Sequence, residues 1–326
     1  MRQRRGVALL AALWLVVAIA AVALQFSIES HERRTIGILA SERGIQRGAA
    51  MGALALTQAK LEQALRVAPT GDNPAIARLR ASDPWADVDS TYTGTVLVDS
   101  MEVQVEAHDL GEKLNINRLN ENQIQTFFSF LLDDYQAATR LSQAILDWRD
   151  ADSIPRPSGA ERDAYIKAEM LALPTNAPFR EVEELQDVMG MTPEIYAKAL
   201  PYLTTHGTAS VNLNSAPVPV LRTLPGMTDA TLNMILQLRS QGQRITSVAQ
   251  IFANAARGGR PLPGQLGGAA VQTQLQGTTS VDTREVELTF TSRVGPQAPP
   301  AKLTAIIRMN GTPPGARSAT ITTKQW

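Results

Sequence analysis

The chain has 326 residues, with 31 basic and 31 acidic side chains, 44% hydrophobic residues and no cysteine. That length suggests about two globular units beside any membrane segment, and the hydrophobic share is enough for a packed core. The balanced charge lacks the overall signature of a nucleic-acid binder, and a thiol nucleophile is excluded, although the missing cysteine leaves the compartment open.

Arg2, Arg4 and Arg5 precede Gly6, and an uncharged apolar run from Val7 to Leu24 follows. About 18 such residues cross a hydrocarbon core of roughly 30 Å as a helix. Residues Ser27 to about Val67 contain no proline, so one helix is predicted from the apolar run to that point, roughly 90 Å long at about 1.5 Å per residue. The basic leader predicts a cytoplasmic N-terminus with the remainder carried outward. A secretory signal peptide cut at Ala18-Ile19-Ala20 or Ala21-Val22-Ala23 is the competing reading, against which stand the length of the run and the continuing helix. In the second half of the helix, Ile36, Leu39, Ile45, Leu54, Leu61 and Leu65 have loosely helical spacing. Gly44, Gly48 and Gly52 lie four apart on one face; they suit either close packing against neighbouring helices or a loosely wound surface helix.

Pro69, Gly71 and Pro74 are predicted to end the helix. Tyr92–Val98 and Met101–His108 then read as strands, because Val103, Val105 and Ala107 alternate with Glu102, Gln104 and Glu106. From Gly111 to Phe252 the character is helical. Helices are predicted over 121–135, 136–148, 160–172, 180–189, 193–203, 217–224, 229–241 and 247–253, with Asn117, Thr192 and Asn214 as candidate N-caps and Pro193 at a first helical position. Arg257–Gly268 reads as a Gly/Pro-rich linker. Strands return at 284–292, 303–309 and 319–323. Strands early, helices between and strands late predict one sheet with a helical domain inserted into it, an α+β arrangement.

Two echoes run through the helical part. Leu114-Asn115-Ile116-Asn117 resembles Val211-Asn212-Leu213-Asn214, and the turn at Met189-Gly190-Met191-Thr192 resembles that at Pro225-Gly226-Met227-Thr228. The second turn looks like a helix-hairpin-helix, whose backbone amides hold phosphate in nucleic-acid binders; Asp229 beside it repels phosphate, so a packing role is favoured. Asp147, Asp150, Asp152, Glu161 and Asp163 form an acidic stretch. Oxygen-rich clusters suit Ca²⁺, but this spacing is not that of an EF-hand, and by the residues alone a solvated acidic turn is favoured. His31, His108 and His206 are scattered, and no hydrolase, P-loop or zinc-protease motif is present, so no catalytic constellation is expected.

The Arg4-Arg5-Gly6 leader, the Gly111–Asn117 and Asp147–Asp152 segments, Pro157-Ser158-Gly159-Ala160-Glu161, the Val211–Pro217 segment and the terminal Lys324-Gln325-Trp326 together resemble the minor pseudopilin K family of the bacterial type II secretion system. The resemblance covers essentially the whole chain. It implies a pilin-like long N-terminal helix packed on an antiparallel sheet, with a large all-α domain inserted between strands. The implied divisions are a prepilin leader at 1–6, the long helix at 7–67 (transmembrane at 7–26), sheet at 68–110, inserted helices at 111–256 and the rest of the sheet at 257–326. Prepilin peptidase would cut after Gly6 and methylate Val7, which displaces the secretory cut. The protein would stand in the inner membrane with its C-terminal domain in the periplasm, and at the pseudopilus tip beside the minor pseudopilins I and J, as an assembly component rather than an enzyme. Family members bind calcium in the inserted domain, which turns attention to Asp147, Asp150, Asp152 and Glu161. Most pilin-like subunits carry Glu at the fifth mature position, where it pairs with a neighbour's terminal amine; here that position is Ala11. A charge at bilayer centre costs about 2.5–3.5 kcal/mol unless compensated, so Ala11 agrees with a subunit that has no neighbour above it. The rival is a membrane-anchored periplasmic DNA receptor using its hairpin turns; no nucleic acid is expected under the favoured reading.

Overall fold

The apolar run and the segment after it form one helix, α1 (Gln3–Arg66). The computed structural model describes residues 3–66, 83, 85–257, 268–295, 298–310 and 318–326. The stop signals at Pro69, Gly71 and Pro74 and most of the 257–268 linker lie outside these residues. From Leu13 to Phe26 the apolar side chains of α1 are exposed, Trp14 by 72% and Phe26 by 73%. Its second half is covered: Ala49, Ala50, Ala53, Leu54, Leu61 and Leu65 are buried, at helical spacing. Ile36, Leu39 and Ile45 stay exposed, so the apolar stripe serves this chain's own core only from residue 46 on.

After α1 comes a short helix α2 (Val88–Tyr92), then β1 (Gly94–Val98) and β2 (Met101–Asp109). The chain then departs into the insert through a 3₁₀ turn at Leu110–Glu112. There it forms β3 (Leu114–Asn115), α3 (Glu121–Leu132), α4 (Tyr135–Arg149), α5 (Arg162–Lys167), α6 (Pro193–Ala199) and β4 (Leu203–Thr204). It continues through β5 (Val211–Asn212), α7 (Val218–Leu221), α8 (Asp229–Ser240), α9 (Val248–Arg257), α10 (Gly268–Thr278) and β6 (Thr279–Ser280). β7 (Glu285–Ser292), β8 (Ala301–Asn310) and β9 (Ser318–Gln325) complete the sheet. Its order is β1-β2-β7-β8-β9, antiparallel throughout, with β2 beside β7 so that Val105 faces Phe290.

Alternation decides which face α1 covers. Val103, Val105 and Ala107 of β2, Val286, Leu288 and Phe290 of β7, and Leu303, Ala305 and Ile307 of β8 point into one core with α1. Fully burying one such side chain contributes about 1.5–3 kcal/mol. Trp85, wholly buried, locks the helix to this layer by donating from Nε1 to Leu61 O at 3.2 Å. Gly52 permits the approach, since a Cβ there would come 2.7 Å from Val98 Cγ1. A Cβ at Gly44 or Gly48 meets nothing within 4 Å, so the three glycines do not share one packing role inside this chain.

The insert has a separate core and consists of two like halves. In the first, β3 pairs in parallel with β4; in the second, β5 pairs in parallel with β6. The paired asparagines explain the echo in the sequence. Asn115 Oδ1 accepts from Asn117 N and Asn212 Oδ1 from Asn214 N, both at 3.0 Å. The second asparagine of each pair then reaches a distant backbone: Asn117 clasps the N–H and C=O of Phe179, and Asn214 those of Ile245. Asn117 and Asn214 therefore are not N-caps. The cap of α3 is Asn120, in a reciprocal box with Gln123, while Thr192 does cap α6. Three further departures are local. The helix expected at 160–172 stops at Lys167, where Glu169 is left-handed at φ 54°. Residues 182–187 form a 3₁₀ helix, and α10 arises where the linker was expected to pass directly to strand.

Candidate metal centre

The acidic stretch lies where α4 ends. Trp148 and Tyr165 pack with ring centroids 5.6 Å apart, and Trp148 stacks on Phe179 at 6.3 Å, which fixes the end of α4 against the start of α5. The loop between these helices is held from both sides. Ser158 N donates to Gln143 Oε1 at 2.7 Å, and Asn176 bonds to Asp152 O and, at 3.2 Å, to Ser153 Oγ. Asp152 Oδ1 accepts from Ile154 N at 2.8 Å in a local Asx turn.

This closure brings three of the four candidate ligands together. Asp150, Asp152 and Glu161 each place a carboxylate oxygen within 4.8 Å of the others. Asp147 has a different employment. It is wholly buried, its Oδ1 lies 2.5 Å from Arg156 Nη1, and its Oδ2 accepts from Arg156 N at 3.1 Å. A Cβ on Gly159 would sit 2.0 Å from Asp147 Oδ2, so glycine is required for the loop to close over that carboxylate. Arg156 also binds Asp150 Oδ2 at 2.5 Å. The loop's supports, Arg156, Gly159, Gln143 and Asn176, were not evident from the acidic spacing; the only sequence signal was the Pro157-Ser158-Gly159 turn.

The carboxylates leave unused capacity. Glu161 Oε1, Glu161 Oε2 and Asp150 Oδ1 are buried without a hydrogen-bond partner. Glu161 occupies the N-cap position of α5 yet makes no side-chain cap bond. Burial pushes its carboxyl above the ordinary value, and the charges of Asp147, Asp150 and Asp152 push it further. Such a group is relieved by a proton or by a cation. The donor set is all hard oxygen, which suits Ca²⁺ with backbone and water oxygens filling out six to eight ligands. The residues present therefore fit the ion.

The hairpin turn is arranged otherwise. Gly226 is left-handed (φ 76°), and a Cβ there would come 2.6 Å from Gln274 Oε1 and 3.2 Å from Val271, so the turn packs on α10. Arg222 is bound to Asp229 at 3.0 Å, and Arg239 donates to Leu213 O and Ala216 O. Neither a free anion-binding turn nor a basic face around it is present among the described residues, so the DNA-receptor reading finds no support. At the N-terminus, the backbone of Gly6, Val7 and Ala11 is helical within α1.

The family model for protein K of the type II secretion system matches residues 112–207, which is nearly the first half of the insert. The chain is 27% identical over 300 residues to the type II secretion system protein K of Dickeya chrysanthemi, covering 74% of this chain and 80% of the relative. It is 26% identical over 275 residues to the putative type II secretion system protein K of Escherichia coli K12, covering 77% and 79%. The chain is thus similar to protein K of the type II secretion system. Its fold also matches a chain in the crystal structure of the GspK-GspI-GspJ complex of enterotoxigenic E. coli, at a TM-score of 0.59 and 18% identity, covering 91% of this chain and 98% of that one. The chain thus combines a long N-terminal helix whose apolar residues from Leu13 to Phe26 are exposed, an antiparallel sheet and a double insert with an acidic loop.

Proposed function

We propose that this chain is the minor pseudopilin that caps the type II secretion pseudopilus and nucleates its assembly with the minor pseudopilins I and J, in support of the export of folded proteins. The carrying observation is the division of α1. The second half docks on this chain's own sheet, while Leu13–Leu24 presents an uninterrupted apolar surface that no other described residue covers. Such a helix is soluble only in a bilayer or in a bundle of like helices.

The N-terminus is read as cytoplasmic and the globular part as periplasmic, since Arg2, Arg4 and Arg5 precede the span. Prepilin peptidase cuts after Gly6 and methylates Val7, freeing α1 to move from the inner membrane into the filament core. Ala11 removes the carboxylate that would demand a neighbour's amine above it. The insert widens the subunit beside the sheet and leaves a place at the end of a stack but none within it. Asp150, Asp152 and Glu161 hold Ca²⁺, with Asp147 and Arg156 bracing the loop; the ion supplies charge neutralisation, and the role is structural.

The test is co-purification. Full-length chain, extracted in mild detergent with co-expressed I and J pseudopilins, is expected to run as one complex containing all three. If I and J associate with each other while this chain elutes alone, the proposed role fails.

A further inference from the structure

Arg43, Arg47, Arg293, Lys302 and Lys324 gather at one end of the sheet. β7 ends there at Ser292, β8 begins there at Ala301 and β9 ends there at Gln325. α1 meets the same end at Gln46, whose backbone O accepts from Ser292 Oγ at 2.9 Å and whose Nε2 donates to Pro299 O at 3.1 Å. Arg43 and Arg47 stand on α1, Arg293 follows Ser292, and Lys302 and Lys324 lie on β8 and β9. All of these cations are exposed, and none makes an ion pair among the described residues. Two of them share one ring: Arg47 Cζ lies 5.2 Å and Lys324 Nζ 5.8 Å from the centroid of Trp326, which ties α1 to β9.

The carboxylates of this end lie apart from that rim or are taken. Asp99 and Glu102 stand at the β1–β2 turn, on the opposite edge of the sheet from β9. Glu42 is turned about 140° from Arg47 around α1. Behind Lys302 and Trp326 a cleft of about 590 Å³ separates sheet and insert; in it Lys113 binds Glu287 at 3.5 Å, Gln325 donates to Glu181, and Glu183 lies on the side of the insert.

The space below the rim identifies what it faces. From Phe26 to Arg43, α1 rises about 25 Å, well beyond the headgroups of a bilayer that ends at the apolar run. This stretch carries Glu29, Glu32, Arg33 and Arg34, which a hydrocarbon core rejects, together with exposed Ile28, Ile36, Ile38 and Leu39, which water does not favour. A protein neighbour satisfies both. Ile36, Leu39, Arg43 and Arg47 follow one another at helical spacing, so one side of α1 passes from apolar to basic as it climbs to Trp326.

We propose that this rim is the docking surface for the globular head of an I- or J-type minor pseudopilin, and that the face it receives is acidic. The inference rests on the role proposed above and adds to it the surface and its chemistry. Like charges gathered without counter-ions repel one another. Carboxylates of the partner relieve that repulsion, steer the encounter and decide which side of the partner lies uppermost. An apolar or basic face does none of this.

The test is co-purification of tagged full-length chain with I and J pseudopilins in nanodiscs of zwitterionic lipid. Reversal at Arg47→Glu and Lys324→Glu together is expected to reduce the recovered partners about tenfold or more, with circular dichroism and the urea midpoint unchanged. Neutralisation at Arg47→Gln, Lys302→Gln and Lys324→Gln should flatten the loss of partners that the wild type shows between about 0.1 and about 1 M salt, over which the screening length falls from about 10 to about 3 Å. If the wild type recovers both partners and the reversed rim recovers as much with the same salt response, the rim is overturned and the assembly role stands. If the wild type recovers neither, the assembly role fails and the rim with it. A wild-type complex that forms only when anionic lipid is added would assign the rim to the bilayer and overturn the proposal as well.

Discussion

Gly159 and Glu161 carry the most testable claims about single side chains. Because a Cβ at position 159 would sit 2.0 Å from Asp147 Oδ2, Gly159→Ala must displace the carboxylate that Arg156 braces. Overpacking of this kind costs about 1–3 kcal/mol, read as a lower denaturation midpoint in urea. For Glu161 the sign runs through its native value, which is raised above that of the unfolded chain. The native state then holds the proton more tightly, so without divalent cations stability grows as pH falls through the native value and ceases to grow below 4.5. Melting in chelator from pH 8 to 4 is expected to show this rise in wild type and a smaller one in Glu161→Gln. Added Ca²⁺ at a hundredfold its Kd stabilises the wild type by about 2.7 kcal/mol at neutral pH and leaves Glu161→Gln nearly unmoved. A wild-type melting temperature indifferent to Ca²⁺ would remove the metal from the account. The acidic spacing drew attention to this loop, yet the division of labour within it was not legible. Nothing in the order of residues shows that Arg156 folds back on both Asp147 and Asp150 while one carboxylate oxygen each of Asp150, Asp152 and Glu161 converge.

At the scale of elements, α1 makes two separable contributions. Gly52→Val forces Val98 aside and is expected to loosen the helix from β1 by about 1–3 kcal/mol, seen in urea unfolding of the isolated chain. Gly44→Ala and Gly48→Ala meet open space and gain helix propensity of about 1 kcal/mol each, so the isolated chain should become more stable. If those positions also pack on partner helices, the same variants weaken co-purification with I and J, and stability and assembly then move in opposite directions. Much of the sheet was legible because one face is dry: Val103, Val105 and Ala107, and Val286, Leu288 and Phe290, alternate cleanly. The strands β3 to β6 were not, since two-residue parallel ladders have no period to read. Their asparagines were visible but looked like caps, because the local bond to the residue two ahead is shared by both uses. α10 was hidden by Gly268, Gly277 and its threonines, which are weak helix formers; only tertiary contacts, with Leu275 wholly buried, hold it helical.

On the scale of the whole molecule, sheet and insert have separate cores joined by polar groups at two crossings. Removing one partner there should be costly. Arg244→Ala strands the wholly buried Asp83 carboxylate and is expected to lower stability by about 3–5 kcal/mol, with Asp83→Asn in the same background recovering part of it. The claim on which the rest depends concerns the N-terminus. The leader, the apolar half of α1 and Ala11 make one argument only if the mature chain begins at Val7. The deciding measurement is the mass and sequence of the N-terminal peptide of protein purified from membranes of cells containing prepilin peptidase. A peptide beginning with N-methylated Val7 is the expected result. A chain starting near Gln25, or one retaining Met1 through Gly6, would contradict the account.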